Sequence, residues 1–299
     1  MTVLIGKNDT GKSAFLDALM VLSSKPTRET NLSKDIRHFR SKHLKLDMAA
    51  QFEKSGDKDI MTNRATSDNP HYNYSYRIKW ASLFNLPHTG PEMVSPGSMD
   101  KEGHPKLLPN GRGVPALLDF FLRKDRSRFF SFVDAAIAHI PGLSDIQIAT
   151  PKANLRRIDL VVDHDFVIPA DQSSVGVRLM LFFLALAYHP EPPELILIEE
   201  PERGVHPSRL SDIIQLFRGL TEGAHTPGSS QVILTTHSPY LLDLIDIDHD
   251  GVLIFQREED GSRSVQPTDA DRLKVFLDEF HLGEVWYNEG EAGMIRPAQ

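Results

Sequence analysis

Apolar residues in this chain come in short blocks, and the rhythm of those blocks differs between the two ends and the middle. Thr2 to Ile5 is an apolar run that stops at Gly6. From Lys12 onward Phe15, Leu16, Leu19 and Met20 recur at helical spacing, so the opening reads as strand, glycine loop, helix. The alternation returns near residue 170. Val177 to Tyr188 predicts a buried helix, and Leu195 to Ile198 a wholly apolar strand of the kind covered on both faces. Pro207 opens a helix where its missing N–H costs nothing, and Leu210, Ile213, Ile214, Phe217 and Leu220 give that helix one apolar stripe. Val232 to Leu234 predicts a strand, Tyr240 to Ile245 a short helix and Val252 to Phe255 another strand. A last helix carries Leu273, Phe276, Leu277 and Phe280, with Thr268 and Asp271 spaced as a capping box. Strands alternating with helices predict an α/β layered core around a largely parallel sheet.

Residues 26–164 break that rhythm. Lys25 to Lys58 is polar, and Pro87 to Gly113 is rich in proline and glycine. Tyr72, Tyr74 and Tyr76 alternate as one strand face, Leu117 to Ile140 predicts one or two amphipathic helices, and Ile158 to Val162 a strand. The expected organisation is a single domain over 1–299. Its core comprises 1–25 and 165–299, with an irregular α+β lobe inserted at 26–164.

Bulk properties narrow the setting. The net charge of -8 carries no general basic field, so charge alone does not show DNA binding, although DNA stays open as a partner. The absence of cysteine excludes disulfides and thiolate metal sites, which suits a cytoplasmic location. The longest apolar run, Leu179 to Tyr188, is about half the ~20 residues a membrane helix needs, so no membrane insertion is expected.

Chemistry concentrates at three places. Gly6-Lys7-Asn8-Asp9-Thr10-Gly11-Lys12-Ser13 fits the phosphate-loop pattern G-x-x-x-x-G-K-S/T. Glycines there let backbone N–H groups wrap phosphate oxygens at the positive end of a helix. Lys12 reaches the β- and γ-phosphates, and the Ser13 hydroxyl ligates Mg²⁺. Leu195 to Glu200 ends a buried strand in two adjacent carboxylates, where open α/β sheets present their ligand crevice. Glu199 is expected to hold Mg²⁺ opposite Ser13, and Glu200 to act as the base that polarises the attacking water. Thr235-Thr236-His237-Ser238 follows the next buried strand, where His237 can reach the γ-phosphate or that water. ATP and Mg²⁺ are the implied cofactors. Asp246, Asp248 and Asp250 mimic the start of a calcium loop, but Arg257 stands where the bidentate glutamate is required, so a polar turn is expected. The Tyr72/74/76 stripe with Trp80 is read as a half-buried strand face. Arg123, Lys124, Arg126 and Arg128 are read as a solvated helix face.

Together these motifs resemble the soluble branch of the ABC-type ATPases, which includes the structural-maintenance-of-chromosomes, recombination-repair and OLD (overcoming lysogenisation defect) ATPases. The resemblance rests on the phosphate loop, on Glu199-Glu200-Pro201-Glu202 followed by Gly204 and His206-Pro207, on Thr236-His237-Ser238-Pro239-Tyr240, and on the tail Leu282 to Tyr287. It implies a P-loop fold of ABC type. The family's serine-x-glycine signature is matched by Ser174-Val175-Gly176, 25 residues before Glu199 counting from Ser174. By resemblance Ser174 and Gly176 reach the nucleotide of the opposite subunit, so an ATP-dependent homodimer is implied. Gln51 is a candidate for the family's Q-loop glutamine. The implied function is ATP hydrolysis with a separate nuclease or effector partner, in DNA repair or anti-phage defence. A transporter motor and a non-hydrolysing ATP switch are the alternatives.

Overall fold

Strands that are apolar on both faces need helices on each side, and the main sheet of the computed structural model has them. The structure describes residues 1–23, 47–53, 60–66, 81–96, 105–226, 228–257, 261, 263–268, 270–277 and 279–295. The main sheet contains β1 (Thr2–Ile5), β4 (Ala81–Phe84), β9 (Leu195–Glu199), β10 (Gln231–Thr235), β11 (Gly251–Arg257) and β12 (Arg263–Pro267). Their spatial order is β12-β11-β1-β10-β9-β4, parallel throughout except for β12.

Side-chain alternation along these strands divides the core into two layers. Leu4, Leu195, Leu197 and Ile233 point to one face, where Leu16 and Leu19 of α1 (Lys12–Ser23) cover them. Val3, Ile5, Ile196, Ile198, Val232 and Leu234 point to the other. That face is covered by α4 (Val175–Ala187), buried without interruption from Leu179 to Ala187, and by the apolar stripe of α5 (Leu210–Glu222). Edge-to-face rings hold these layers in register: Phe182 meets Phe84 at 5.2 Å and Phe183 meets Phe217 at 5.2 Å.

A second, antiparallel sheet is built from β5 (Val94–Pro96), β6 (Leu143–Ala149), β7 (Leu155–Val162) and β8 (Phe166–Pro169), with β7 pairing all three others. The helices α2 (Val114–Lys124) and α3 (Arg126–His139) divide the expected Leu117–Ile140 segment at Asp125. Its carboxylate accepts a hydrogen bond from the Arg128 amide and caps the second helix. β2 (Asp47–Glu53) and β3 (Ile60–Thr66) form a separate hairpin.

The expected insertion at 26–164 is not wholly outside the core. β4 lies inside that stretch, yet it is an edge strand of the main sheet, with Phe84 beside Ile198. Leu117, Leu118 and Phe121 of α2 join the same buried cluster as Phe182 and Ile198. Four residues are too few to carry a readable alternation, and burial against β9 supplies what local sequence does not.

At the far end the sequence pattern omits β12 and the helix α8 (Leu282–Met294). A capping box is present there, between His281 and Glu284. α7 (Ala270–Leu277) ends before Phe280, whose side chain is exposed rather than part of an apolar face. The short helix α6 spans Pro239–Leu242. Tyr72, Tyr74, Tyr76 and Trp80 lie outside the described residues. Among those described, no helix is long and apolar enough to cross a membrane.

Candidate functional site

The parallel register sets the site. Leu4 lies beside Thr235, and Thr235 lies beside Glu199, so β1, β10 and β9 end side by side. The segments that leave these three ends are the phosphate loop, Thr236–His237 and Glu200.

Within the phosphate loop, side chains bond back to the loop's own carbonyls. Gly6 has φ +147°, and a Cβ there would lie 2.3 Å from the Phe255 carbonyl oxygen on the neighbouring strand β11. Only glycine passes this point without displacing backbone. Asp9 and Gly11 also take positive φ, at 63° and 100°, which closes the turn. Thr10 is buried and donates its hydroxyl to the Lys7 carbonyl at 2.8 Å. Lys12 is 6% exposed and donates its ammonium to the carbonyls of Gly6 at 2.7 Å and Lys7 at 3.0 Å. The amine is thus poised over the loop interior by two carbonyl oxygens that a phosphate oxygen can replace. α1 has no acidic residue in its first turn, so no carboxylate on that turn offsets the positive end that it turns to the loop. Ser13 is exposed at the start of this helix.

Glu199 ends β9. Asp17, one turn beyond Ser13, has its carboxyl pKa raised, by partial burial first and by the Glu199 charge second. Ser13 at the start of α1 and Glu199 at the end of β9 carry hydroxyl and carboxylate oxygens, the hard donors that Mg²⁺ takes together with phosphate and water. No three His, Asp or Glu side chains gather as a ready-made metal cage among the described residues. A Mg²⁺ held largely through nucleotide phosphates fits that sparse donor set.

Glu200 departs sharply from the strand. Its φ is +42°, unusual for a residue with a Cβ, and its N–H donates to the carbonyl of Thr235 at 3.1 Å and to that residue's hydroxyl at 3.2 Å. The turn aims the carboxylate towards Arg203, whose guanidinium donates to Oε2, and towards His237, whose Nε2 lies 3.6 Å from Oε1. The His237 pKa is lowered. Burial is the main cause, the positive charges of Lys12 and Arg203 act in the same direction, and Glu200 opposes them. The influence of Lys12 on this imidazole links the phosphate loop to the ends of β9 and β10.

Glu202 braces the same region. Its Oε1 accepts the Thr236 hydroxyl at 2.6 Å and the His237 N–H at 3.2 Å, while the buried Oε2 has no protein partner. Burial raises the carboxyl pKa. The Thr236 N–H donates to the Leu4 carbonyl at 3.1 Å, tying the histidine segment to the strand that feeds the phosphate loop. The Ser238 hydroxyl caps α6.

Ser174 is exposed and caps α4, accepting the Val177 N–H at 3.3 Å. A Cβ on Gly176 would lie 3.4 Å from the Gly204 carbonyl, and one on Gly204 would lie 2.8 Å from Val175. Ser174 and Gly176 thus flank the turn after the acidic pair rather than joining Lys12, Glu200 and His237 at the strand ends. Gln51 lies on β2 in the separate hairpin. Pattern along the chain does not mark His88, Arg203 or Asp17 as members of the site. Arg203 and Glu202 stand within the quoted motif, whereas His88 carries no local signal. The 246–250 segment is a tied polar turn: Arg218 donates to Asp250 at 3.1 Å, and the Met1 amino group lies 3.6 Å from the same carboxylate. In the basic cluster, Arg123 pairs with Asp119 and Arg128 with Asp125.

This arrangement, a phosphate loop after β1 with an acidic strand end and a histidine beside it in a mostly parallel sheet, is the P-loop fold of ABC- and SMC-type ATPases. The structure of the SmcHead bound to the C-winged helix domain of ScpA superposes with a TM-score of 0.61, covering 92% of this chain and 91% of that one at 15% identity. The Smc head domain of Pyrococcus furiosus, with an extended coiled coil and bound to the C-terminal domain of ScpA, gives 0.54 over 93% and 92% at 14% identity. At such identities the likeness is one of fold. Residues 97–243 match the family described as "AAA domain, putative AbiEii toxin, Type IV TA system", a span that includes Glu199, Glu200 and His237. No curated protein matches the chain.

Proposed function

We propose that this chain is a single ATPase domain that binds Mg-ATP at the joined ends of β1, β10 and β9 and hydrolyses it. The observation that carries this reading is the side-by-side register of Leu4, Thr235 and Glu199. Lys12 exchanges its carbonyl partners for β- and γ-phosphate oxygens, and the N–H groups of Gly6 to Ser13 cradle the phosphates. Ser13 and Glu199 would hold Mg²⁺, which when bound offsets the negative charge of the phosphates. Glu200 accepts the proton of the attacking water. His237, kept neutral by burial and by the charge of Lys12, donates one hydrogen bond to the γ-phosphate while Glu202 fixes its backbone.

We further propose, from the family resemblance, that ATP brings two copies together so that Ser174 and Gly176 of one cap the nucleotide of the other. In this reading the dimer works in the cytoplasm with a separate nuclease or effector, in DNA repair or anti-phage defence. Steady-state turnover and size-exclusion chromatography of wild type and Glu200→Gln test it. The expected result is turnover by wild type, and turnover lost with an ATP-stabilised dimer in the variant. Wild type that binds ATP without turning it over, with or without DNA, overturns hydrolysis in favour of a binding switch.

A further inference from the structure

The loop after β4 reaches the site from the side opposite the phosphate loop. Phe84 lies beside Ile198, so the residues leaving β4 emerge next to the acidic pair. His88 on this loop meets Arg203 at 3.3 Å between Nε2 and Nη1. A guanidinium has no acceptor, so Arg203 donates and the neutral imidazole accepts. The other terminal nitrogen of Arg203 donates to Glu200 Oε2. One planar fork therefore joins a loop residue 115 positions away in sequence to the proposed base.

The backbone makes that fork stiff at its root. The Arg203 N–H donates to the Glu200 carbonyl at 3.0 Å, and Gly204, at φ +83°, seats the turn against Val175 at the start of α4. Gly90 at the end of the β4 loop packs against the same residue, since a Cβ there would lie 3.3 Å from Val175 Cγ1. The positive charge of Arg203 also helps to keep His237 unprotonated. His237 approaches Glu200 at Oε1 and Arg203 holds Oε2, so both oxygens of the carboxylate are addressed by side chains from different strand ends.

We propose that Arg203 is a positioning residue for Glu200, and that His88 holds the guanidinium in the orientation that sets the base. This rests on the reading of Glu200 as the hydrolytic base. Phosphate capture by Lys12 and the loop does not pass through Arg203, so the effect falls on kcat. Misplacing a catalytic group by about an ångström costs up to ~100-fold.

The test is steady-state ATP turnover by wild type, Arg203→Ala, Arg203→Lys, His88→Ala and the Arg203→Ala/His88→Ala double variant, with ATP affinity measured by a fluorescent ATP analogue. Arg203→Ala should lower kcat roughly 30-fold while KM and analogue affinity stay within about 2-fold. Arg203→Lys should recover part of the loss, because lysine keeps the charge without the fork. His88→Ala should lower kcat about 3-fold, and the double variant should be no worse than Arg203→Ala, as expected when two residues act through one contact. If Arg203→Ala melts early, Arg203→Lys and His88→Ala carry the test on folded protein. Wild-type turnover with an unchanged or raised kcat in Arg203→Ala overturns this proposal alone. A loss of ATP affinity equal to the loss of kcat also overturns it, because it assigns Arg203 to binding. Absent turnover in wild type that still binds ATP overturns the hydrolysis reading, and this proposal with it.

Discussion

The two halves of the site are built in opposite ways. The phosphate loop closes on itself: Lys12 reaches back to Gly6 and Lys7, and Thr10 to Lys7, through bonds no more than six residues apart. The half at the ends of β9 and β10 is held by bonds across 34 and 35 residues, from Thr236 and His237 to Glu202 and from Glu200 to Thr235. One half is a local conformation stabilised by glycine and a helix end. The other exists only when three strands are in register, so binding and hydrolysis should fail separately when each half is damaged.

The largest expected effect is on hydrolysis alone. Glu200→Gln should lower kcat by about 10²–10⁴-fold while ATP affinity is retained, measured by phosphate release beside an equilibrium titration. Equal losses in both would break the division of labour. Lys12→Ala should do the reverse at the first step, weakening ATP binding by more than about 100-fold through loss of a charged phosphate contact, as read by the same titration. Gly6→Ala attacks the local half without touching charge. Its Cβ collides with the Phe255 carbonyl at positive φ, so ATP binding and melting temperature should fall together, by about 1–3 kcal/mol of stability.

Glu202 probes the long-range half. Glu202→Ala leaves the Thr236 hydroxyl and the His237 N–H without their shared acceptor and should cost about 1–3 kcal/mol, read by denaturant unfolding. Glu202→Gln keeps one acceptor oxygen and should cost less. The carboxyl pKa is raised in the folded state, so the folded chain holds that proton more tightly than the unfolded one. Its contribution to stability is complete below the ordinary value of 4.5 and is lost as pH rises through the raised value. Thermal scans over about pH 4 to 7 should therefore show a shallower loss of stability with rising pH in Glu202→Gln than in wild type. The smallest effect belongs to the surface: Arg123→Ala, removing an exposed pair with Asp119, should change stability by less than ~0.5 kcal/mol and leave turnover unchanged.

Much of the fold was legible because its strongest signals are local. β1, β9, β10 and β11 announce themselves as short apolar runs, and α4 and α5 as longer apolar stretches bounded by Ser174 and Pro207. β4 and β12 did not, because four or five residues carry too little alternation and their partners, β9 and β11, decide their structure. α2 and α3 were readable as helices but not as parts of the main core. That assignment comes from packing of Leu117, Leu118 and Phe121 against α4 and its neighbours.

By itself the sequence determined the phosphate loop, since its spacing of glycine, lysine and serine is a local solution to wrapping backbone around phosphate. It also marked the two carboxylates and the histidine as groups leaving the ends of buried strands. Only the tertiary structure decided that Glu202 braces His237 and that His88 approaches Arg203. It also decided that one fork of guanidinium meets Glu200. Those contacts join residues far apart along the chain, and parallel strands bring such residues together by register, which no pattern within a single segment specifies.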